Sequence, residues 1–254
     1  MKIISFDITG KFGHFRKFYG NNTAFTFAVP PRTTIMGMLG AMMGWEKGSY
    51  HEKLSVANIR IGIRVMQPIK KSFHRLNFLK ILGSNDFRGK NGRVQTPFEV
   101  ISGLNPRTDE IKYRIYLSPG LNEGAIFDEL ALRIKERKFV YNISLGTANF
   151  SARVENYLVY PASKIQEILS DNFQDISSAV MTDDVTDLQL DETRRTMIEE
   201  EMTPLEFTAN HDRSVATMKR ILYPLENYAM RVKTNTETYQ IESDEESITI
   251  SFLE

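Results

Sequence analysis

The chain has 254 residues, with 32 basic and 32 acidic side chains and no cysteine, so it is long enough for one large or two modest domains. The lack of cysteine excludes disulfides and thiolate metal sites within this sequence and fits a reducing compartment. The charge is distributed unevenly, because residues 1–163 hold 24 basic and 12 acidic side chains while the remainder holds 8 and 20. This asymmetry predicts that the first part binds a polyanion and that the acidic part faces protein.

The first predicted elements are a strand, a basic loop and a helix. Alternating Ile4, Phe6 and Ile8 predict a strand over residues 3–9. The loop GKFGHFRKFYGNN follows, and its basic residues alternate with aromatic ones, a pattern suited to phosphate contact and base stacking. The next run, PPRTTIMGMLGAMMG, predicts a helix with its N-cap at Thr33 or Thr34. Its large apolar face and its small face consist of Ile35, Met38, Leu39 and Met42, and of Gly37, Ala41 and Gly44, respectively.

The same run is not expected to cross a membrane. Its uncharged stretch is far shorter than the ~20 residues of a membrane span. The N-terminal sequence MKIISFDITG reads as a strand and not as a secretory signal. We therefore expect a cytoplasmic protein without a membrane partner.

The middle of the chain continues the alternation of strands and helices. VANIRIGIRVMQ predicts a strand with a basic side, KYRIYLS another strand, NEGAIFDELALRIKERK a helix, and SLGTANFSARVENYLVYP a turn at Gly146 and a last strand. This order predicts an α+β, ferredoxin-like domain over residues 1–163, the arrangement of RNA-recognition domains. The long segment between the second and third strands, residues 68–110, predicts a protruding β-hairpin with arms at 70–82 and 93–101 and a basic tip.

Residues 164–254 predict a smaller acidic appendage of mainly β character. KIQEILSDNF is interpreted as a short helix, residues 182–201 as an acidic, mobile stretch, and YQIESDEESITISFL as a terminal hairpin. In that hairpin, Ile248, Ile250 and Phe252 share one face.

Motifs for common chemistries are missing from the sequence. No phosphate-loop, dinucleotide or serine-hydrolase motif occurs, and His14, His51, His74 and His211 are scattered without zinc-ligand spacing. We therefore expect no metal, no cofactor and no small-molecule substrate. Metal-independent RNA cleavage assisted by His14 or His74 stays open, although stacking or phosphate contact suits both residues better.

The strongest charge signal lies between Arg60 and Arg93, where nine basic residues accompany one acid, Asp86. Aromatic and glycine residues are interleaved with these cations. A solvated basic surface is one explanation of this pattern, and nucleic-acid binding is the favoured one.

Four segments resemble the CRISPR-associated protein five family of the RAMP superfamily, whose members cap the 5′ handle of the guide RNA in type I Cascade complexes. The segments are GHFRKFY, FAVPPRTTIMGMLGAMMGW, RVQTPFEVISGLNPRTDEIKYRIYLS and ISLGTANFSARVENY. The resemblance covers about residues 1–160 and is nearest to I-B-like members. It implies a role in antiviral defence, a hairpin thumb, and contacts to guide RNA, a backbone subunit and a large subunit.

The resemblance, together with the basic and aromatic pattern, gives a set of expected RNA-binding residues. In the helix, Arg32, Thr33 and Thr34 are expected to face the RNA, because free helix N–H groups and a cation favour phosphate. The remaining members are His14, Arg16, Lys17, Lys70, Lys71, His74, Arg75, Arg88, Lys90 and Arg93.

One branch of that family cleaves precursor guide RNA with a tyrosine, a lysine and a histidine. This sequence departs from that branch, since Phe25 and Phe27 stand where the tyrosine is expected and no adjacent Lys-His pair occurs. We therefore expect a subunit without catalytic residues, with an endoribonuclease as the alternative.

Overall fold

A computed structural model describes residues 1–20, 22–122, 124–191, 193, 197–208, 214–243 and 246–254. Glu123 of the second predicted helix and His211 lie outside these residues. The first half contains β1 (Ile3–Gly10), β2 (Phe15–Arg16), β3 (Thr26–Phe27), α1 (Arg32–Met43), β4 (Ile59–Val65), β5 (Ile69–Leu79), β6 (Arg93–Gly103), β7 (Ile111–Pro119), α2 (Ala125–Glu136) and β8 (Ala152–Tyr160). The second half contains β9 (Ile165–Ile168), β10 (Gln174–Ile176), β11 (Val180–Met181), β12 (Val185–Gln189), β13 (Ile198–Phe207), β14 (Val215–Pro224), β15 (Met230–Thr234), β16 (Thr238–Glu242) and β17 (Ser247–Ile250).

The centre of the molecule is a four-stranded antiparallel sheet in the order β4-β7-β1-β8. On one face Phe6 and Ile8 belong to the large core cluster that also contains Leu39 of α1 and Leu130 of α2. On the other face Ile3 packs in a second cluster with residues of β16 and the C-terminal segment. Both faces are therefore covered, which explains why every residue of β1 is buried.

The sheet has two ends that carry different features. β1 ends and β7 begins where Gly10 faces Ile111, and we call this the hairpin end. β4 begins and β7 ends where Ile59 faces Pro119, and we call this the turn end. The nine residues of β7 separate the two ends by roughly 27 Å at about 3.3 Å per residue.

An eleven-residue antiparallel ladder joins β5 and β6. This hairpin, residues 69–103, confirms the predicted arms at 70–82 and 93–101 to within a few residues. Its foot is attached at the hairpin end, where Gly13 and Ile101 exchange two backbone hydrogen bonds of 3.0 and 2.8 Å. A 3₁₀ turn at Ser84–Arg88 occupies its tip.

The helix α1 confirms the predicted large apolar face, because Ile35, Met38, Leu39 and Met42 are all buried. Its N-cap is Pro31 and no side chain caps it, so the predicted cap by Thr33 or Thr34 is wrong. Gly44 lies beyond the helix as a left-handed C-cap with φ of 76°.

The acidic half is mainly β, as predicted, and forms a six-stranded and a three-stranded sheet. The predicted short helix after residue 163 is wrong, because Ile165–Ile168 is a strand that pairs with β16. Within residues 182–201, predicted to be mobile, the described residues include β12 and the start of β13. The terminal hairpin is confirmed by the pairing of β16 with β17.

The acidic half lies against the basic side of β4. Arg60 forms a salt bridge with Glu254, and Arg64 forms one with Glu246 at 3.1 Å. The edge of β4 is covered as well, because the N–H groups of Ala179 and Leu253 donate to its carbonyls at 2.7 and 2.9 Å. The large core cluster accordingly contains residues from both sides of position 163, including Met181, Leu205, Ile221 and Tyr223.

Candidate nucleic-acid interface

The hairpin exposes cations and aromatic rings together. Arg75, Arg88, Lys90 and Arg93 are exposed, as is His74. The rings of Phe73, Phe78 and Phe87 are 57, 44 and 70% exposed. Exposed rings can stack on bases while neighbouring cations contact phosphates, so the hairpin offers both kinds of contact to a single-stranded nucleic acid.

The two acids of the hairpin are occupied by hydrogen bonds within the protein. Asp86 accepts the backbone N–H groups of Leu82 and Gly83 at 2.6 and 2.8 Å, and these bonds lower the pKa of its carboxyl group. Glu99 is 9% exposed and accepts the backbone N–H of Thr26 at 2.9 Å. The outer surface of the hairpin is therefore cationic.

A cavity of about 620 Å³ opens at the foot of the hairpin. Its walls come from the basic loop, the start of α1, Phe78 and Phe98 of the hairpin, and the segment 142–147. None of the described residues that line it is acidic. Cavities of ~300–1,000 Å³ commonly hold small ligands, and the lack of carboxylates suits an anionic one, such as a nucleotide.

His14 lies in the wall of this cavity and is 2% exposed. Its Nδ1 lies 2.7 Å from the carbonyl oxygen of Glu99 and its ring stacks on Phe98 with centroids 4.0 Å apart. Since a carbonyl oxygen only accepts, Nδ1 carries the proton, and Nε2, the acceptor, has no hydrogen-bond partner among the described residues. Burial lowers the pKa of His14 below its usual 6.5, so the ring is neutral at pH 7.

His14 and His74 are both neighbours of Phe98. His74 is the cross-strand partner of Phe98, on which His14 stacks. Nothing in the sequence indicates this shared neighbour, because Phe98 belongs to β6 and the pairing register of the hairpin is set by the fold.

The first residues of α1 line the cavity, except Arg32. Thr33 and Thr34 line it, together with Arg16 of the basic loop. Arg32, in contrast, is 1% exposed and donates to the carbonyl oxygens of Leu54 and Ile59 at 2.9 and 2.8 Å. Burial lowers its pKa to about 10. The expectation that Arg32 faces RNA is corrected by this position, since its guanidinium holds two backbone segments together inside the protein.

Two further predicted cations take part in ion pairs with the acidic half. Lys17 donates to Glu201 at 2.7 Å, and Lys71 donates to Glu199 at 2.8 Å. Burial alone would lower the pKa of each lysine, but the hydrogen bonds to these carboxylates raise it. Lys70 donates to the backbone carbonyl of Leu104. The acidic half therefore reaches the foot of the hairpin. The basic and acidic parts of the chain are not separated there, in contrast to the prediction from the sequence.

The surface formed by the hairpin and the cavity thus contains most of the predicted residues and some that the sequence did not indicate. Phe98, Phe207 and the segment 142–147 complete the cavity. Phe207 lies in the strand β13 of the acidic half, and only the packing of that half against α1 brings it there. In the part of the chain that the structure describes, no three metal-ligating side chains converge, and no helix has the length and hydropathy to cross a membrane.

Comparisons with known proteins show the fold. No protein-family model matches the sequence and no curated protein is detectably similar to it. The crystal structure of a CRISPR protein from Archaeoglobus fulgidus is similar, with a TM-score of 0.55 and 14% identity over 98% of this chain and 99% of that chain. A chain of a CRISPR RNA-guided surveillance complex has a TM-score of 0.50 and 12% identity over 89% and 91% of the two chains. The chain therefore has an α+β fold that CRISPR-associated proteins share over almost its whole length.

Proposed function

We propose that the protein is a non-catalytic subunit of a CRISPR RNA-guided complex and binds the 5′ handle of the guide RNA at the hairpin end. The observation that carries the proposal is the hairpin itself, which exposes Arg75, Arg88, Lys90 and Arg93 beside aromatic rings while both of its acids are internally bonded. The cavity without carboxylates at its foot suits one nucleotide of the same strand.

Several finer assignments belong to this proposal. The strand order β4-β7-β1-β8 with helices after the first and third strands agrees with a ferredoxin-like RAMP domain, and the hairpin corresponds to the thumb of the protein-five family. A backbone subunit and a large subunit are the proposed protein partners, and the cytoplasm is the proposed location.

The test has two parts. First, the protein is purified together with the products of neighbouring genes, and the bound RNA is sequenced. We expect short guide-like RNAs with one defined 5′ end. Random RNA fragments, or no RNA, would contradict the proposal.

Second, Arg88, Lys90 and Arg93 are changed together to alanine and binding to a repeat-derived RNA is titrated against salt. Each lost phosphate contact should make the slope of log affinity against log salt less steep by roughly 0.7. The affinity near physiological salt should fall roughly 10- to 100-fold. The matched control changes three exposed lysines outside the hairpin, Lys47, Lys53 and Lys135, to alanine. Equal losses in both variants would indicate nonspecific charge attraction.

The position of His14, stacked on Phe98, and of His74, the cross-strand partner of Phe98, favours one second candidate, a metal-independent endoribonuclease. Such cleavage needs a base at the 2′-hydroxyl and an acid at the leaving oxygen. We expect the protein to bind its repeat RNA in chelator without cutting it. Specific cleavage that is lost in both His14→Ala and His74→Ala would establish the endoribonuclease instead.

A further inference from the structure

A second cavity, of about 730 Å³, lies at the turn end of the central sheet. Its apolar lining includes Val56, Ala57, Pro119 and Leu121. The side chain of Leu121 is 98% exposed. A leucine that is almost bare beside an apolar cavity offers a hydrophobic contact to a partner.

The turn that carries Leu121 is held in place by its neighbours. The N–H groups of Gly120 and Asn122 donate to the carbonyls of Asn58 and Ala57 at 2.8 and 2.9 Å, and the side chains of Asn122 and Asn58 are bonded at 2.8 Å. A Cβ atom at residue 120 would lie only 2.4 Å from the carbonyl oxygen of Ala57, so the close approach requires glycine. Because the backbone is already fixed, a partner would not have to order it on binding.

The rim of this cavity is acidic. Its charged side chains are Glu206, Glu237, Glu254 and Arg60, and Met1 lines it as well. Arg60 pairs with Glu254, and the buried Arg32 lies 3.8 Å from Glu206. Glu237 accepts a hydrogen bond from Tyr239 at 2.9 Å and has no ion-pair partner among the described residues. The side chains of the rim therefore carry a net negative charge, which Glu237 supplies, whereas no described residue that lines the cavity at the hairpin end is acidic.

We propose that this cavity is the docking site for a segment of another protein subunit that carries an apolar side chain next to lysine or arginine. The apolar side chain would fill the cavity beside Leu121, and the cation would pair with Glu237. RNA does not suit a rim of this sign. The inference rests on the proposed membership of a multi-subunit complex and locates one protein contact, at the end of the sheet opposite the proposed RNA binding.

Photo-crosslinking tests the proposal directly. Leu121 is replaced by p-benzoylphenylalanine in the full chain, which is co-expressed with the proteins encoded beside its gene and irradiated after purification. We expect a crosslink to another protein at a segment with lysine or arginine within a few residues. A crosslink to RNA, to a second copy of this chain or to an acidic segment would overturn the proposal, and so would an assembled complex without any crosslink.

Two pairs of variants separate docking from RNA binding. Leu121→Asp should reduce incorporation into the purified complex at least tenfold, while Leu169→Asp, at a 71% exposed leucine elsewhere, should not. Glu237→Lys should reduce incorporation in the same way, while Glu242→Lys, at an exposed position on β16, should not. All four isolated variants should bind repeat RNA as the unchanged protein does. If Leu121→Asp and Leu169→Asp are incorporated equally, the docking proposal is wrong whatever the RNA result.

Discussion

Glu201 joins the acidic half to the basic half. Its carboxylate accepts hydrogen bonds from Lys17 at 2.7 Å, from the backbone N–H of Ala28 at 3.2 Å and from the hydroxyl of Tyr223. Burial alone would raise its pKa, but the bonds from Lys17 and Tyr223 lower it below the usual 4.5. The carboxylate therefore stabilises the fold in its ionised form.

Replacing this carboxylate gives a pH-dependent prediction. In Glu201→Gln a single amide oxygen cannot serve all the donors, so the free energy of unfolding at pH 7 should fall by about 3 kcal/mol. Because the folded pKa lies below the unfolded one, this stabilisation is present above pH 4.5 and is lost as the pH falls through the folded pKa. Urea unfolding from pH 7 to pH 3 should show the variant and the unchanged protein converging.

The control for this experiment is the exposed neighbour Glu200. Glu200→Gln should change the free energy of unfolding by no more than about 0.5 kcal/mol at any of these pH values. If the loss in free energy of unfolding caused by Glu201→Gln stays constant down to pH 3, the shape of this side chain, and not its charge, stabilises the fold.

At this scale the sequence predicts residue types better than residue roles. The exposed cations of the hairpin were recognisable because nine basic residues accompany one acid between Arg60 and Arg93. The burial of Arg32 is not recognisable from the sequence, because its partners are backbone carbonyls more than twenty residues away. The sequence alone does not distinguish a cation at a helix start that contacts a phosphate from one that donates to backbone carbonyls.

Among the elements, α1 allows a test of close packing within one helix. A Cβ atom at Gly40 would lie 2.7 Å from Cδ1 in the ring of Tyr50, while one at Gly37 would lie 3.3 Å from its terminal hydroxyl. Gly40→Ala should therefore lower the free energy of unfolding by about 1–2 kcal/mol, as overpacking exceeds the gain in helix propensity. Gly37→Ala should leave it unchanged or raise it by up to about 1 kcal/mol. Urea unfolding of the two variants gives the comparison, and equal effects would contradict the close contact at Gly40.

The same helix indicates what a periodic pattern can predict. The large apolar face of α1 is predictable because its apolar residues recur at helical spacing. All of them are buried in the structure. The close contact at Gly40, which the predicted small face does not include, is not predictable, because Tyr50 belongs to a later, irregular segment. The mainly β character of the half after residue 163 and its terminal hairpin are predictable, but the individual strands β9, β10 and β12 are not, since their partners lie far along the chain and short polar strands carry little periodicity.

On the scale of the whole molecule, charge changes along the long axis of the central sheet. The cavity at the hairpin end has no acidic residue among the described residues that line it, whereas the cavity at the turn end is rimmed by glutamates. The strand β13 follows the same direction, with Glu199 and Glu201 at the foot of the hairpin and Glu206 at the turn end. The neutral total of the chain thus conceals two ends suited to different partners.

This arrangement predicts that two glutamates of similar chemistry act differently on RNA binding. Glu199 pairs with Lys71 at 2.8 Å at the foot of the hairpin, so Glu199→Gln should free positive charge there and raise the affinity for repeat RNA about two- to fivefold at low salt. Glu237→Gln should leave the affinity unchanged at physiological salt, because the turn end lies roughly 27 Å away by the length of β7 and charges are screened beyond about 8 Å at that salt concentration. Titrations of both variants at several salt concentrations provide the measurement. A gain for Glu199→Gln that shrinks as salt rises would fit a local electrostatic effect on the RNA, whereas equal gains in the two variants would mean that RNA senses only the net charge of the protein.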